Sequence, residues 1–308
     1  MSDPRHKAVS LGRGPASILA QTLVDHVARD AGVRALAVKG PLLSRLGLRP
    51  PRVSSDADAL VEPARVALVR AGLEERGWQI RYEREMPFLL ARHSVTMVHP
   101  QWPVDIDLHW YFPGLHAEPD EVFERLWERR MEMVLAGRTV RCLDVPGNIV
   151  VAAAHCLRYP TSPIRQREFA ELVTRVAAQP QEVLDDVVAL ATATRCLSVL
   201  RDFWVQLGMR VPEDDLSVDE LRRWLRYTGT HERGSTGAWL AALSRGGPLQ
   251  RIRVAARALW PSSAELAAMH PRVEQATRRQ RLGLRAARWR RGLSAVPGAI
   301  RGLRSPHA

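Results

Sequence analysis

Two short acidic patterns hold the chemistry of this sequence. Asp56 and Asp58 stand two apart in DADALV; Asp105 and Asp107 stand two apart in VDIDLHW, and His109 follows at the same interval. Side chains of a β-strand alternate between faces, so each such pair projects from one face. Ala57 and Ala59 leave room around the first pair, and Ile106 and Leu108 point away from the second. A lone DxD is common on solvated strand edges. Two acidic doublets inside apolar strands are harder to dismiss, because acidic residues are depleted in strands and buried carboxylates need partners or metals. Strands offering carboxylates at one period could converge on hard cations such as Mg²⁺. Two ions about 3.5–4 Å apart would activate an attacking oxygen and neutralise a leaving pyrophosphate. His109 shares a face with Asp107 and stands, with Asp105, at the edge of such a site.

Lys39-Gly40 is the third element. A glycine where a strand turns into a helix lets backbone N–H groups approach an anion, and the helix dipole favours phosphate there. The P-loop pattern GxxxxGK[ST] is absent. Lys7 and Lys39 are the only lysines; every other base is arginine.

The elements that must position these residues follow from periodicity and punctuation. The sequence predicts helix 16–31 closed by Gly32, strand 35–38, helix 42–48, a Pro-rich loop 49–55, strand 56–61 and helix 63–76. Short strand-like runs follow at 78–82, 88–93, 95–99 and 104–111. Next come helix 119–130 and a hairpin over 131–143 with Gly137 in its turn. After Pro146 every periodic segment reads as helix: 147–159, 164–178, 181–208, 217–227, 235–244, 249–259 and 263–269, separated by prolines. His155 and Cys156 lie on the apolar helix 147–159 and read as packing residues rather than ligands. Seven of the nine tryptophans fall between residues 100 and 260 and read as core and interdomain anchors. The expected class is therefore α+β: a small mixed sheet with helices over 1–145, a helical domain over 146–271, and a basic helical tail over 272–308.

Charge sharpens that division. The 308 residues hold 45 Lys+Arg against 33 Asp+Glu, a formal net charge of +12. Residues 272–308 alone carry ten Arg and one Glu, so +9 of the surplus sits in the tail and the body is nearly neutral. Arginines with Trp289 could bind nucleic acid or an anionic lipid surface, but a solvated Arg-rich helix is the favoured reading of the tail. The widely spaced Cys142, Cys156 and Cys196 form no CxxC pair, which excludes a zinc ribbon. Scattered thiols, an N-terminus without a signal-peptide core and the lack of a long apolar run point to the cytoplasm.

The ordered set LAVKGPLLSRLGL, RVSSDADALV, a helix ending in ERGW, and VDIDLHW resembles the uncharacterised nucleotidyltransferase family of the DNA polymerase β-like superfamily. The resemblance extends more weakly through VPGNIVVAAAHCLR and RALWPSSAEL, over roughly residues 16–270. It implies a minimal nucleotidyltransferase core followed by helices. Asp56 and Asp58 match the metal-binding D-x-D, and Asp107 matches the third carboxylate. Lys39 and Gly40 stand where the superfamily's Gly-Ser turn holds the triphosphate. Arg52 matches the arginine before the D-x-D, and Ser55 adjoins it. The implied activity is Mg²⁺-dependent transfer of a nucleotidyl group from an NTP to a hydroxyl of a small molecule or peptide. The alternative is a non-catalytic binding or regulatory protein on the same fold. Two departures from the pattern are Lys-Gly in place of Gly-Ser, and Ala57 where a larger apolar residue is common.

Overall fold

The architecture is taken from a computed structural model, which describes residues 11–81, 93–210, 215–232 and a few positions between 252 and 290. The chain falls into two compact units. The first comprises residues 1–81, 93–157 and 163–218, and the second comprises 82–92, 158–162 and 219–308.

The first unit is built on a seven-stranded mixed sheet: β1 (Ala35–Val38), β2 (Asp56–Val61), β3 (Gln79–Ile80), β4 (Ser94–Val98), β5 (Asp105–His109), β6 (Arg130–Leu135) and β7 (Arg138–Leu143). Their order across the sheet is β3-β4-β5-β2-β1-β7-β6. Apolar residues at every position make β1 a buried central strand. It pairs antiparallel with β2 and parallel with β7. β2 in turn pairs parallel with β5. β6 and β7 form the expected hairpin, and Ala136 and Gly137 turn it with φ of 47° and 76°. Such a turn matches the twist of the flanking strands.

Alternation sends the two faces of β2 and β5 to different surroundings. Ala57, Ala59, Ile106 and Leu108 join a core with Ala16, Ala20, Val24 and Val27 of helix α1 (Arg13–Asp30) and with Val69 and Leu73 of α3 (Val66–Glu74). The acidic residues therefore project from the face that α1 does not cover. A single 3₁₀ turn, Pro63–Arg65, precedes α3. α2 (Gly40–Arg45) begins directly from the end of β1.

α4 (Pro119–Glu128) crosses to the β6–β7 hairpin. From residue 145 onward the elements among the described residues are helices: α5 (Val145–Leu157), α6 (Pro163–Val176), α7 (Gln181–Ala193), α8 (Arg201–Gln206) and α9 (Val218–Glu232). Cys156 is buried in α5, as a packing residue would be. Two expectations are corrected. The strand over 78–82 is reduced to Gln79–Ile80. The single helix over 181–208 is two helices, because Arg195 takes a φ of 53°. The carbonyls of Thr194 and Arg195 accept N–H groups from His116 and Ala117, and the Asp215 carboxylate accepts the N–H groups of Leu197 and Ser198. Backbone groups that a continuous helix would pair internally are satisfied from outside. The expected helices 235–244, 249–259 and 263–269, most of the expected strand 88–93 and most of the tail lie outside the described residues. Within the tail, Leu282, Ala286 and Trp289 are helical.

Candidate nucleotide and metal site

The register between β2 and β5 assembles the site. Asp56 lies opposite Asp105, Asp58 opposite Asp107, and Leu60 opposite His109. In a parallel pair, registered side chains project from the same face, so the two doublets meet as one acidic patch. β1 brings the third element alongside, since Val38 is registered with Asp58 and the next residue is Lys39.

Lys39 reaches back over the patch. Its Nζ lies 2.6 Å from Asp58 Oδ1, and the ammonium sits 5.8 Å from the centre of the Phe112 ring. His109 Nε2 lies 2.8 Å from the same Asp58 oxygen. A carboxylate only accepts, so the imidazole carries a proton on Nε2. All three side chains are buried. Burial opposes ionisation of Asp58, but Lys39 and then His109 outweigh it and hold the carboxyl well below the usual carboxylate range. Both contacts fall on Oδ1, which leaves Oδ2 without a hydrogen bond among the described residues.

Asp107 has the opposite fate. Thr96 Oγ donates to its Oδ1 at 2.5 Å from the neighbouring strand β4. Burial, and next the Asp58 charge, push the Asp107 carboxyl up to about 7. Asp56 is also raised, by burial first and then by Asp58. Of the carboxylates on this face, Asp56 and Asp107 thus resist ionisation, because burial and the neighbouring Asp58 charge both disfavour the charged form. Asp58, Asp107 and His109 each offer a ligand atom within 4.8 Å of the others; Asp56 lies outside that group. The hard oxygen set fits Mg²⁺. His109 as it stands spends its Nε2 proton on Asp58, which makes it the residue that orients that carboxylate.

The turn itself is strained. Lys39 has φ 52° and ψ −144°, a conformation that only glycine adopts cheaply, and Gly40 follows with φ 49°. A side chain held there costs about 1–3 kcal/mol and persists where surrounding structure demands it. The demand is visible. The Lys39 N–H donates to Asn148 Oδ1 at 3.1 Å, and Asn148 Nδ2 is in turn tied to the carbonyls of Leu143 and Asp144. Gln21 Nε2 of α1 donates to the Val38 carbonyl at 3.1 Å. A Cβ on Gly40 would meet Gln21 Nε2 at 3.4 Å and Ser54 Oγ at 3.6 Å.

Other sequence candidates are placed differently. Asp105 is taken up by Arg81 in an ion pair. Arg52 is tied to Glu168 and Glu171 of α6. Ser55 is exposed, and buried Ser54 is the serine beside the Gly40 turn. Sequence reading passed over Gln21, Arg49, Thr96, Asn148, Arg165 and Glu168. Arg49 Nη2 donates to Ser54 Oγ at 2.8 Å, beside the turn. Each of the six depends on a neighbour far along the chain or on loop geometry, which local pattern does not encode.

The model of an uncharacterised nucleotidyltransferase family matches residues 19–204, a span that holds every one of these groups. The chain belongs to the uncharacterised nucleotidyltransferase family. No curated protein matches it. Among solved structures, the solution structure of the antibiotic-resistance factor ANT(2'')-Ia is similar at 14% identity, over 71% of this chain and 98% of that one, with a TM-score of 0.37. The lincomycin-bound lincosamide antibiotic adenylyltransferase LnuA is similar at 14% identity, over 57% and 97%, with a TM-score of 0.32. An antigenic nucleotidyltransferase-like protein from Paracoccidioides brasiliensis is similar at 10% identity, over 66% and 96%, with a TM-score of 0.37. For this family member, the D-x-D strand, the later DLHW strand and the KG turn are adjacent in one sheet. Among the described residues, no helix is long and apolar enough to cross a membrane.

Proposed function

We propose that this family member is a Mg²⁺-dependent enzyme that moves a nucleotidyl group from an NTP to a hydroxyl of a small-molecule or peptide acceptor, releasing pyrophosphate. The observation that supports this most is the parallel β2–β5 register, which sets Asp56 and Asp58 against Asp105 and Asp107 beside a strained Lys39-Gly40 turn. Asp56, Asp58 and Asp107 would hold two Mg²⁺ ions, whose charge neutralises the triphosphate and the carboxylates together. The chain's own groups do the rest by position and charge, as phosphoryl-type transfers require. The Gly40 turn and the Lys39 ammonium face the phosphates. Arg52 adds a planar cation suited to them. His109 keeps Asp58 in place through its Nε2 proton. Asp107, beside Asp58 on the neighbouring strand, would also help to accept the hydroxyl proton of the acceptor. The three buried thiols suit a reducing compartment, and the cytoplasm is the proposed location.

The test is pyrophosphate release with Mg²⁺ from each NTP against a panel of hydroxyl acceptors. Wild type is compared with Asp58→Asn and, because Asp58 is buried, with the less buried Asp56→Asn. Turnover in wild type and its loss in both variants is expected. Equal turnover in a variant would remove that residue from the site, and an NTP that neither binds nor turns over would remove the function.

A further inference from the structure

The reading above uses nothing from α6, yet α6 delivers two charged side chains to the same place. Glu168 Oε1 accepts from Arg52 Nη2 at 2.6 Å, and Glu168 Oε2 accepts from Arg165 Nη1 at 2.5 Å. One carboxylate therefore joins a guanidinium from the loop before the D-x-D to a guanidinium from α6. Arg52 and Arg165 each keep about a third of their side chain exposed, while Glu168 keeps 14%. The anchor is covered and both cations reach the surface. Each guanidinium presents its donors in a planar fork, and Arg52 spreads its own over Glu168 and Glu171.

Chain position and hydrogen bonds place this pair beside the acidic patch: Arg52 stands four residues before Asp56, and the Glu168 carboxylate it donates to also holds Arg165. The Arg165 charge acts on Asp56. Arg49 is close enough to Arg52, Glu168, Asp56 and Asp58 for all four charges to act on it. The buried Cys156 thiol of α5 lies within the fields of Glu168, Arg165, Arg52 and Lys39 at once. Lys39, Arg49, Arg52 and Arg165 bring positive charge to this region, where it meets Asp56, Asp58, Asp107, Glu168 and Glu171. Cations on the aspartates would leave the arginines in surplus. A chain of phosphates carries the negative charge and the multiple oxygens that would answer that surplus, and guanidinium forks bind phosphate in two-point fashion.

We propose that Arg165 of α6 is a triphosphate-binding residue that works with Arg52 as a two-pronged clamp, and that Glu168 is the positioning residue holding the prongs together. The clamp rests on the nucleotidyltransferase reading and extends it by making the first turn of α6 part of the nucleotide site.

The test uses the full chain, Mg²⁺ and inorganic triphosphate as the probe, with adenosine as the phosphate-free control, by calorimetry. Arg165→Gln should weaken triphosphate binding about ten- to a hundredfold, the loss of one charge-assisted contact. It should leave Mg²⁺ affinity and adenosine binding unchanged. Arg165→Lys, which keeps the charge and the helix, should recover part of the loss. Glu168→Gln should weaken binding less, and its effect should shrink in the Arg165→Gln background, a coupling that a merely structural role would not produce. Wild-type binding with Arg165→Gln within twofold of it overturns the clamp and leaves the nucleotidyltransferase reading intact. Wild type that binds no triphosphate overturns both.

Discussion

Replacing Asp107 by asparagine should make the protein more stable and inactive. The Asp107 carboxyl is pushed from 3.8 to about 7, first by burial and then by Asp58. The folded state therefore binds this proton more tightly than the unfolded state does. Below the unfolded value both states are protonated and the favourable contribution is whole. As pH rises from about 4 to about 7 that contribution is lost, because the unfolded chain ionises freely and the folded one resists. A shift of roughly three units at roughly 1.4 kcal/mol each gives a ceiling of about 4 kcal/mol at alkaline pH. The amide introduced by Asp107→Asn keeps an oxygen for the Thr96 hydroxyl and carries no charge to confine. The stability gap, variant minus wild type, should thus be small near about pH 4 and widen toward a few kcal/mol by about pH 8. Urea titrations followed by tryptophan fluorescence measure it, with buried Trp78 and Trp204 as reporters. Mg²⁺ at alkaline pH should narrow the gap by raising wild type more than the variant, which keeps only Asp56 and Asp58 of the three carboxylates. A gap that stays flat across this range, or a variant that loses stability at alkaline pH, would refute the electrostatic reasoning.

Thr96→Val removes the group that lowers the Asp107 carboxyl, so the pH at which Mg²⁺ binding reaches half its maximum should move upward in a calorimetric titration. Lys39→Met should destabilise the apo protein by about 3–5 kcal/mol, since it strips a buried carboxylate of its cation; thermal melts should show Mg²⁺ recovering part of the loss. Lys39→Gly should be milder than Lys39→Met in the same melts, because it relieves the turn whose φ of 52° penalises a side chain. Asn148→Leu should cost about 1–3 kcal/mol by leaving the Lys39 N–H buried and unpaired, and should raise the KM for NTP more than it lowers kcat.

Much of the sheet was legible because its signals are local. DADALV reads as a strand of alternating faces, and β2 occupies the expected residues. ALAV reads as a buried strand, and β1 occupies the expected four. Gly137 announces the hairpin that follows. The break at Arg195 was invisible because the chain there contains neither Gly nor Pro; Asp215, twenty residues on, supplies the capping acceptor. In the site, alternation placed His109 on the Asp107 face. Its meeting with Asp58 needed the parallel pairing of β2 with β5, a long-range fact. Arg165 and Glu168 were hidden for the same reason, since a charged helix face looks solvated until its neighbour is known.

The central position of β1 also bears on how the chain is made. β1 is synthesised early and pairs with β2 soon after, but its other edge belongs to β7, which ends at Leu143. At the ordinary pace of translation that edge waits on the order of 5–20 s for its partner. During that interval ALAV is an open, apolar, uncharged strand edge of the kind that recruits other chains. The same delay holds back the Lys39 turn, whose N–H acceptor is Asn148. A nascent chain stalled before β7 should therefore aggregate and lack a site together, and soluble yield should depend on synthesis rate between residues 62 and 148.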